Sequence, residues 1–423
     1  MRALVALAVV AACSRKDAPQ QQPSPPPPPP SQVEHDAATP PPQASFGKKT
    51  MDQTALVKGH NNFAVELYGQ LPAGNVAMSP ASITIALTMT WAGAKGQTAD
   101  EMSRVLHMEG DQPELLSRWG TLSQGLVDPK RPFTLHLANR LFADKHHELD
   151  TVFFDINMKT FGARTDAMDF RDDAEGSREK INTWVGQATE QKIPNLLPPR
   201  SVTSATRLVI VNAIYFLADW AEPFSKSATH KEDFHVSASD TKPVEMMHRP
   251  GSYKYVHDGG AALLELPYKG DAVSMYVLLP DAVDGLPAIE AKLADTLRGL
   301  QSKLAETQVA VGLPRFTIDM PAPIDLVPEL RALGMKLPFE PTADFSGISK
   351  DPHDPLFISS VLHKAMVKVD EKGTEAAAAT AVMMPRGAPP RPAATFTADH
   401  PFVFLIVDRA SGLILFIGRV AAP

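Results

Sequence analysis

Nucleophiles and metal ligands are the side chains that could do chemistry in this chain, and they are sparse. There is a single cysteine, Cys13, near the start of the sequence. The rest of the chain therefore has no disulfide, no thiolate metal site and no cysteine nucleophile. Histidine occurs 13 times but is scattered. His146-His147-Glu148 groups ligand-type side chains, yet it lacks the ligand spacing of a helix or strand and reads as a solvated turn. His230 and His235 flank a charged run and read as surface. No G-x-S-x-G elbow, Walker loop or H-E-x-x-H helix is present. Ser, His and Asp are numerous enough that counting excludes no triad, but no local motif assembles one. The expectation is a protein that is not an enzyme, with no metal and no cofactor.

The bulk numbers exclude other classes. A net charge of -7 without a basic block argues against nucleic acid as a partner. Hydrophobic residues make up 44% and charged residues 21% of the 423 positions, which supports one large core.

The elements that must position any site begin after an unusual leader. Arg2 precedes an apolar run, Ala3 to Ala12, that is too short to span a bilayer. The run ends Val10-Ala11-Ala12-Cys13, which resembles the lipobox of bacterial lipoproteins. The resemblance implies a signal peptide over 1–12 and a lipid on Cys13. The protein would then be exported, lipid-anchored at the bacterial cell envelope or extracellular, touching the membrane only through that lipid. An ordinary signal peptide is the alternative. Residues 13–49 are rich in Pro, Gln and Ser, with Pro25 to Pro30 unbroken, and read as a disordered, semi-rigid tether. Residues 50–423 read as one domain.

Within it, Phe63, Leu67 and Leu71 recur at helical spacing. Ser79-Pro80 predicts a helix start, with Gly93 at its end. Thr98 and Glu101 have the spacing of a capping box. Leu208 to Leu217 is an apolar run that suits a strand buried on both faces. Val273 to Leu279, Phe402 to Val407 and Leu413 to Val420 read as strands, the last two joined as a hairpin through Asp408 to Gly412. Helices come first and strands later, so the class is α+β.

One segment does not read as ordinary structure. A good strand, Met366 to Val369, runs into Asp370-Glu371-Lys372-Gly373-Thr374-Glu375, then into Ala376-Ala377-Ala378-Ala379-Thr380, and on to a Pro-rich loop. A short exposed helix is one reading of the Ala run. The other is a strand small enough to enter the middle of a sheet, since it lacks bulk, charge and Pro.

Those hinge residues closely resemble the reactive-loop hinge of inhibitory serpins. Further matches follow in the family's order. They are Asn75-Val76-Ala77-Met78-Ser79-Pro80, Gly93-Ala94-Lys95-Gly96, Asn212-Ala213-Ile214-Tyr215-Phe216 with Trp220, His363-Lys364-Ala365, and Phe396 through Ile406. The resemblance implies three β-sheets, eight or nine helices and an exposed reactive-centre loop over about 371–395. It also implies a monomer that inhibits serine endopeptidases as a suicide substrate. The target protease would attack the loop, form an acyl ester and be carried away as the loop enters the main sheet.

Roles follow from the resemblance alone. Glu371, Gly373, Thr374 and Ala376 to Ala379 would be the hinge, with Thr374 becoming buried on insertion. Ser79, Ser82, Asn212 and His363 would form a polar shutter. Trp220 and Arg315 would mark the breach, Arg315 pairing with Glu371. The family's usual spacing from Glu371 puts Gly387 before the reactive bond, and a spacing one residue shorter puts Arg386 there. Side-chain chemistry favours Arg386-Gly387, which suits a trypsin-like pocket. A Gly387-Ala388 bond would suit an elastase- or subtilisin-like enzyme instead. Two rivals remain: a non-inhibitory binding or carrier serpin, and a hydrolase with no nucleophile motif to support it.

Overall fold

In the sequence, strand-forming runs outnumber helical ones after residue 200, and the three-dimensional arrangement follows from how those runs pair. The computed structural model describes residues 53–351, 353–374 and 392–423. The first six helices are α1 (Thr54–Tyr68), α2 (Pro80–Trp91), α3 (Gly96–Val105), α4 (Gln112–Leu126), α5 (Thr151–Phe161) and α6 (Ala174–Ala188). The strands are β1 (Val76–Met78), β2 (Thr134–Asp144), β3 (Thr165–Met168), β4 (Leu208–Asp219), β5 (Thr229–Ser237), β6 (Asp240–Asp258), β7 (Ala261–Pro267) and β8 (Val273–Pro280). They continue as β9 (Ala305–Pro314), β10 (Phe316–Asp319), β11 (Ile324–Asp325), β12 (Ile358–Val369), β13 (Gly373–Thr374), β14 (Ala394–Thr397), β15 (Phe402–Asp408) and β16 (Ile414–Val420).

Among the described residues two hydrogen-bonded sheets result. The seven-stranded sheet runs β10-β12-β13-β4-β2-β3, with β11 also on β12. The nine-stranded sheet runs β1-β16-β15-β8-β7-β6-β9-β14, with β5 also on β6. The three expected sheets become two because β6 is 19 residues long and belongs to two halves at once. Its first part pairs with β5 and its last residues, Tyr255 to Asp258, with β7.

The apolar run at 208–217 is a strand covered on both faces. Leu208, Ile210, Ile214 and Phe216 enter the large core. Val209, Val211 and Ala213 face a second core with Ile181 and Val185 of α6. Strict alternation of side chains across the sheet produces this split.

Ser79 caps α2: its Oγ accepts the Ser82 N–H at 3.2 Å, with Pro80 at the first helical position. Thr98 and Glu101 do not form a capping box. Helix α3 begins earlier, at Gly96, and Thr98 is buried within it. Its hydroxyl accepts the Asp344 N–H at 2.8 Å, and Glu101 accepts the N–H groups of Lys336 and Leu337. Distant backbone donors have taken both side chains.

The feature that builds the site is the pairing of β12 with β4. They are parallel from Ile358↔Leu208 to Met366↔Tyr215, with one register shift between Ile358 and Ser360. Beyond Met366 and Tyr215 they part, and β13 fills the gap between their C-terminal ends.

Candidate functional site

The chain leaves β12 at Val369, reverses within three residues and returns between β12 and β4. Asp370 shapes the reversal. Its N–H donates to Gly373 O at 3.0 Å, and its Oδ1 accepts the Lys372 N–H at 2.8 Å. Thr374 then pairs with Val369 on one side and Ala218 on the other. A Cβ at Gly373 would stand 2.0 Å from Ala218 O, so only glycine brings the backbone this close to β4. Thr374 is fully buried, with Oγ1 2.6 Å from the Tyr268 hydroxyl. The start of the hinge is therefore already seated in the sheet.

Three side chains fasten the turn. Trp220 Nε1 donates to Asp370 O at 3.0 Å, and its N–H donates to Lys372 O at 2.7 Å. Its ring stacks on Tyr268, with centroids 4.4 Å apart. Phe224 N–H donates to Glu371 O at 2.8 Å, so every carbonyl of the turn is used. The Glu371 carboxylate is almost wholly buried. Arg315 Nε reaches both its oxygens, at 2.9 and 3.0 Å, and Thr229 Oγ1 donates to Oε1 at 2.7 Å. Burial alone would push this carboxyl up, but the Arg315 and Thr229 hydrogen bonds hold it below the usual carboxylate range.

Further down the strand pair, Ser79, Ser82, Asn212 and His363 form one buried polar network. Ser79 N–H donates to His363 Nε2 at 3.1 Å. A backbone N–H can only donate, so Nε2 carries no proton and His363 is neutral with its proton on Nδ1. That proton goes to Asn212 Oδ1. Asn212 Nδ2 donates to Ser82 Oγ at 2.6 Å and to Asn139 Oδ1 at 2.8 Å. Ser82 Oγ donates to Asn139 Oδ1 at 2.8 Å, and Ser79 Oγ to Leu415 O at 2.6 Å. Burial drives His363 down to about 3, which keeps the ring neutral. Register explains the grouping: Asn139, Asn212 and His363 are neighbours across β2, β4 and β12.

The structure thus brings the four shutter candidates together, and Trp220, Arg315, Glu371, Gly373 and Thr374 into a second group. Ala376, Ala377, Ala378, Ala379, Arg386, Gly387 and Cys13 lie outside the described residues. Sequence reasoning missed Asn139, Thr229 and Tyr268. Asn139 was the most findable, as a polar residue inside an otherwise strand-like run. His147 is not solvated as its turn suggested. It is buried, and burial lowers its pKa.

The family model described as "Serpin (serine protease inhibitor)" matches residues 58–423. The chain belongs to the serpins, a family of protease inhibitors. It is 40% identical over 385 residues to a leukocyte elastase inhibitor of Bos taurus, covering 87% of this chain and 99% of that one. It is 38% identical over 370 residues to Iris of Ixodes ricinus, covering 85% of this chain and 97% of that protein. Serpin48 of the insect Tenebrio molitor superposes with a TM-score of 0.79 at 32% identity, over 88% of this chain and 99% of that structure. These relatives are animal proteins and lend no support to a bacterial lipoprotein assignment.

Proposed function

We propose that this chain inhibits serine endopeptidases by loop insertion between β4 and β12. The protease serine attacks a peptide bond in the segment after Thr374. The new amine leaves, an acyl ester forms, and the freed strand enters the sheet before water can release the enzyme. The observation that carries the reading is the seat of Gly373 and Thr374 between the parted strands.

The register says what insertion requires. Thr374 faces Val369 and Ala218, so an antiparallel continuation places Ala377 beside Met366 and Tyr215. From there each added residue must replace a β4–β12 pair. Thr380 would arrive between His363 and Asn212, whose hydrogen bond must part. A hydroxyl can donate and accept, so Thr380 is suited to rejoin the two. Residues 374, 376, 378 and 380 share the face of Tyr268, which leaves Glu375 on the opposite face.

Arg386-Gly387 as reactive bond favours a trypsin-like target. The relatives' name, leukocyte elastase inhibitor, favours an elastase-like one acting at Gly387-Ala388. Incubation with trypsin and with leukocyte elastase, followed by a denaturing gel, separates them. A denaturant-stable band near the summed mass with trypsin, lost in Arg386→Ala, is the expected result. The same band with elastase alone moves the bond. Cleavage with no band and no gain in melting temperature would replace inhibition with a binding or carrier role.

Export with lipidation of Cys13 is a separate proposal resting on the Val10-Ala11-Ala12-Cys13 pattern. Mass spectrometry of the mature amino terminus tests it.

A further inference from the structure

The β5–β6 ribbon gathers three side chains that the sequence keeps apart. His230 and Glu232 alternate on β5. His248 stands on β6 two residues past Met246, the partner of His230. All three therefore share one face of the ribbon. Both imidazole Nε2 atoms lie 2.7 Å from one oxygen, Glu232 Oε1. The two rings stack with centroids 4.8 Å apart and planes 16° from parallel. The three potential ligand atoms all lie within 4.8 Å of one another. Among the described residues Glu232 forms ion pairs with these two imidazoles and with no Lys or Arg.

The neighbouring strand holds the geometry. Gly312 of β9 pairs with His248, and a Cβ there would stand 3.2 Å from His248 Cε1. The ring thus sits over bare backbone. The His230 side chain is 60% exposed, against 31% for Glu232 and 32% for His248. The cluster is reachable from solvent. A second group, His146, Asp169 and Asp172, has comparable spacing but is occupied by cations. Lys145 Nζ lies 2.6 Å from Asp169 Oδ2, and His146 Nδ1 is itself 2.8 Å from Asp144 Oδ1. A metal there would have to displace or face those charges.

We propose that His230, Glu232 and His248, converging on the β5–β6 ribbon, bind a divalent transition metal such as zinc, copper(II) or nickel(II). Two imidazole nitrogens and one carboxylate oxygen are a ligand set for borderline metals, with a fourth position left to water. Binding through Nε2 asks that nitrogen of each ring to carry no proton. Ligand atoms about 2.0–2.2 Å from a tetrahedral zinc stand roughly 3.3 Å apart, so the 2.7 Å separations must widen by about half an ångström. The stacked rings must also turn toward one another so that both in-plane Nε2 lone pairs meet one ion, a reorientation of exposed and half-exposed side chains.

The site lies between the two anchors of the reactive segment. Thr229, next to His230, donates to the hinge acid Glu371. Gly312, beneath His248, pairs with Thr397 of β14, on the far side of that segment. The metal site stands on the side chains alone and does not depend on the inhibitory reading.

The test uses the full chain, stripped of metal and titrated with zinc against a chromophoric chelator. The wild type is compared with His248→Ala, His230→Ala and Glu232→Gln, with His146→Ala as control. Expected are one tight equivalent in the wild type and in His146→Ala, and a loss of at least about tenfold in affinity in each of the other three. Zinc should raise the melting temperature of the wild type and leave His230→Ala, an exposed and structurally mild change, unmoved. No zinc binding by the wild type would overturn the proposal. So would a His230→Ala/His248→Ala double variant that keeps wild-type affinity.

Discussion

The two ends of the β4–β12 pair solve opposite problems. At the C-terminal ends the strands are parted, and the gap is filled by two residues of the chain itself, Gly373 and Thr374. In the middle they are joined, and the seam is fastened by the His363–Asn212 contact with Ser82 and Asn139 behind it. The parted end is held by a charged pair, a stacked tryptophan and a turn whose carbonyls are all used. The His363–Asn212 seam is held by neutral polar groups. A neutral network can part and be rejoined without exposing a charge, whereas breaking an ion pair in the same place would strand one. On the proposal of loop insertion, opening begins at the parted end and is resisted in the middle.

The largest effect should come from filling the parted end wrongly. Thr374→Arg places an unpaired charge in a fully buried slot, at a cost of several kcal/mol. The variant should be cleaved by a target protease without forming a denaturant-stable complex. Cleavage should also leave its melting temperature unchanged. A complex at wild-type yield would show that the seat of Thr374 is incidental.

The middle is tested by acid. His363 is held at about 3 and His60 at about 4 in the fold, both lowered chiefly by burial from an ordinary value of 6.5. The unfolded chain therefore binds protons that the fold does not, and stability is lost as pH falls below about 6.5. Each ring contributes a slope of up to about 1.4 kcal/mol per pH unit. Urea unfolding between pH 6.5 and 5 should show this slope, and His363→Ala should remove one ring's share. An unchanged slope in the variant would mean that His363 is charged in the fold, against its contact with the Ser79 N–H.

The smallest effect belongs to the fastening of the turn. Arg315→Ala leaves Glu371 with Thr229 alone and should cost about 2 kcal/mol, the worth of hydrogen bonds to a charged group. Hydrogen exchange should quicken at the Gly373 and Thr374 amides while the Asn212 amide stays protected. Equal quickening at both places would erase the distinction between the two ends.

Much of this was legible in the sequence wherever the signal is local. The apolar run at 208–217, the Ser79-Pro80 start and the 402–420 hairpin each depend on neighbours within a dozen residues. What failed was long-range. Thr98 has the spacing of a cap, but the Asp344 N–H, far along the chain, took its hydroxyl. Tyr268 carries no mark that it will lie against Trp220 and Thr374. His248 meets His230 only because the β5–β6 hairpin folds one onto the other. The hinge was readable through resemblance, yet its seat in the sheet was not, since composition does not tell where two parallel strands separate.

Strand β6 carries a consequence for how such a chain can change over generations. Its 19 residues serve both halves of the nine-stranded sheet, pairing with β5 near one end, β7 at the other and β9 between. Inserting or deleting one residue in its middle would turn one half's buried side chains outward while the other half stayed in place. A length change in β6 must therefore be absorbed as a bulge or be matched in β5, β7 or β9 together, which makes its length a shared measure of the sheet.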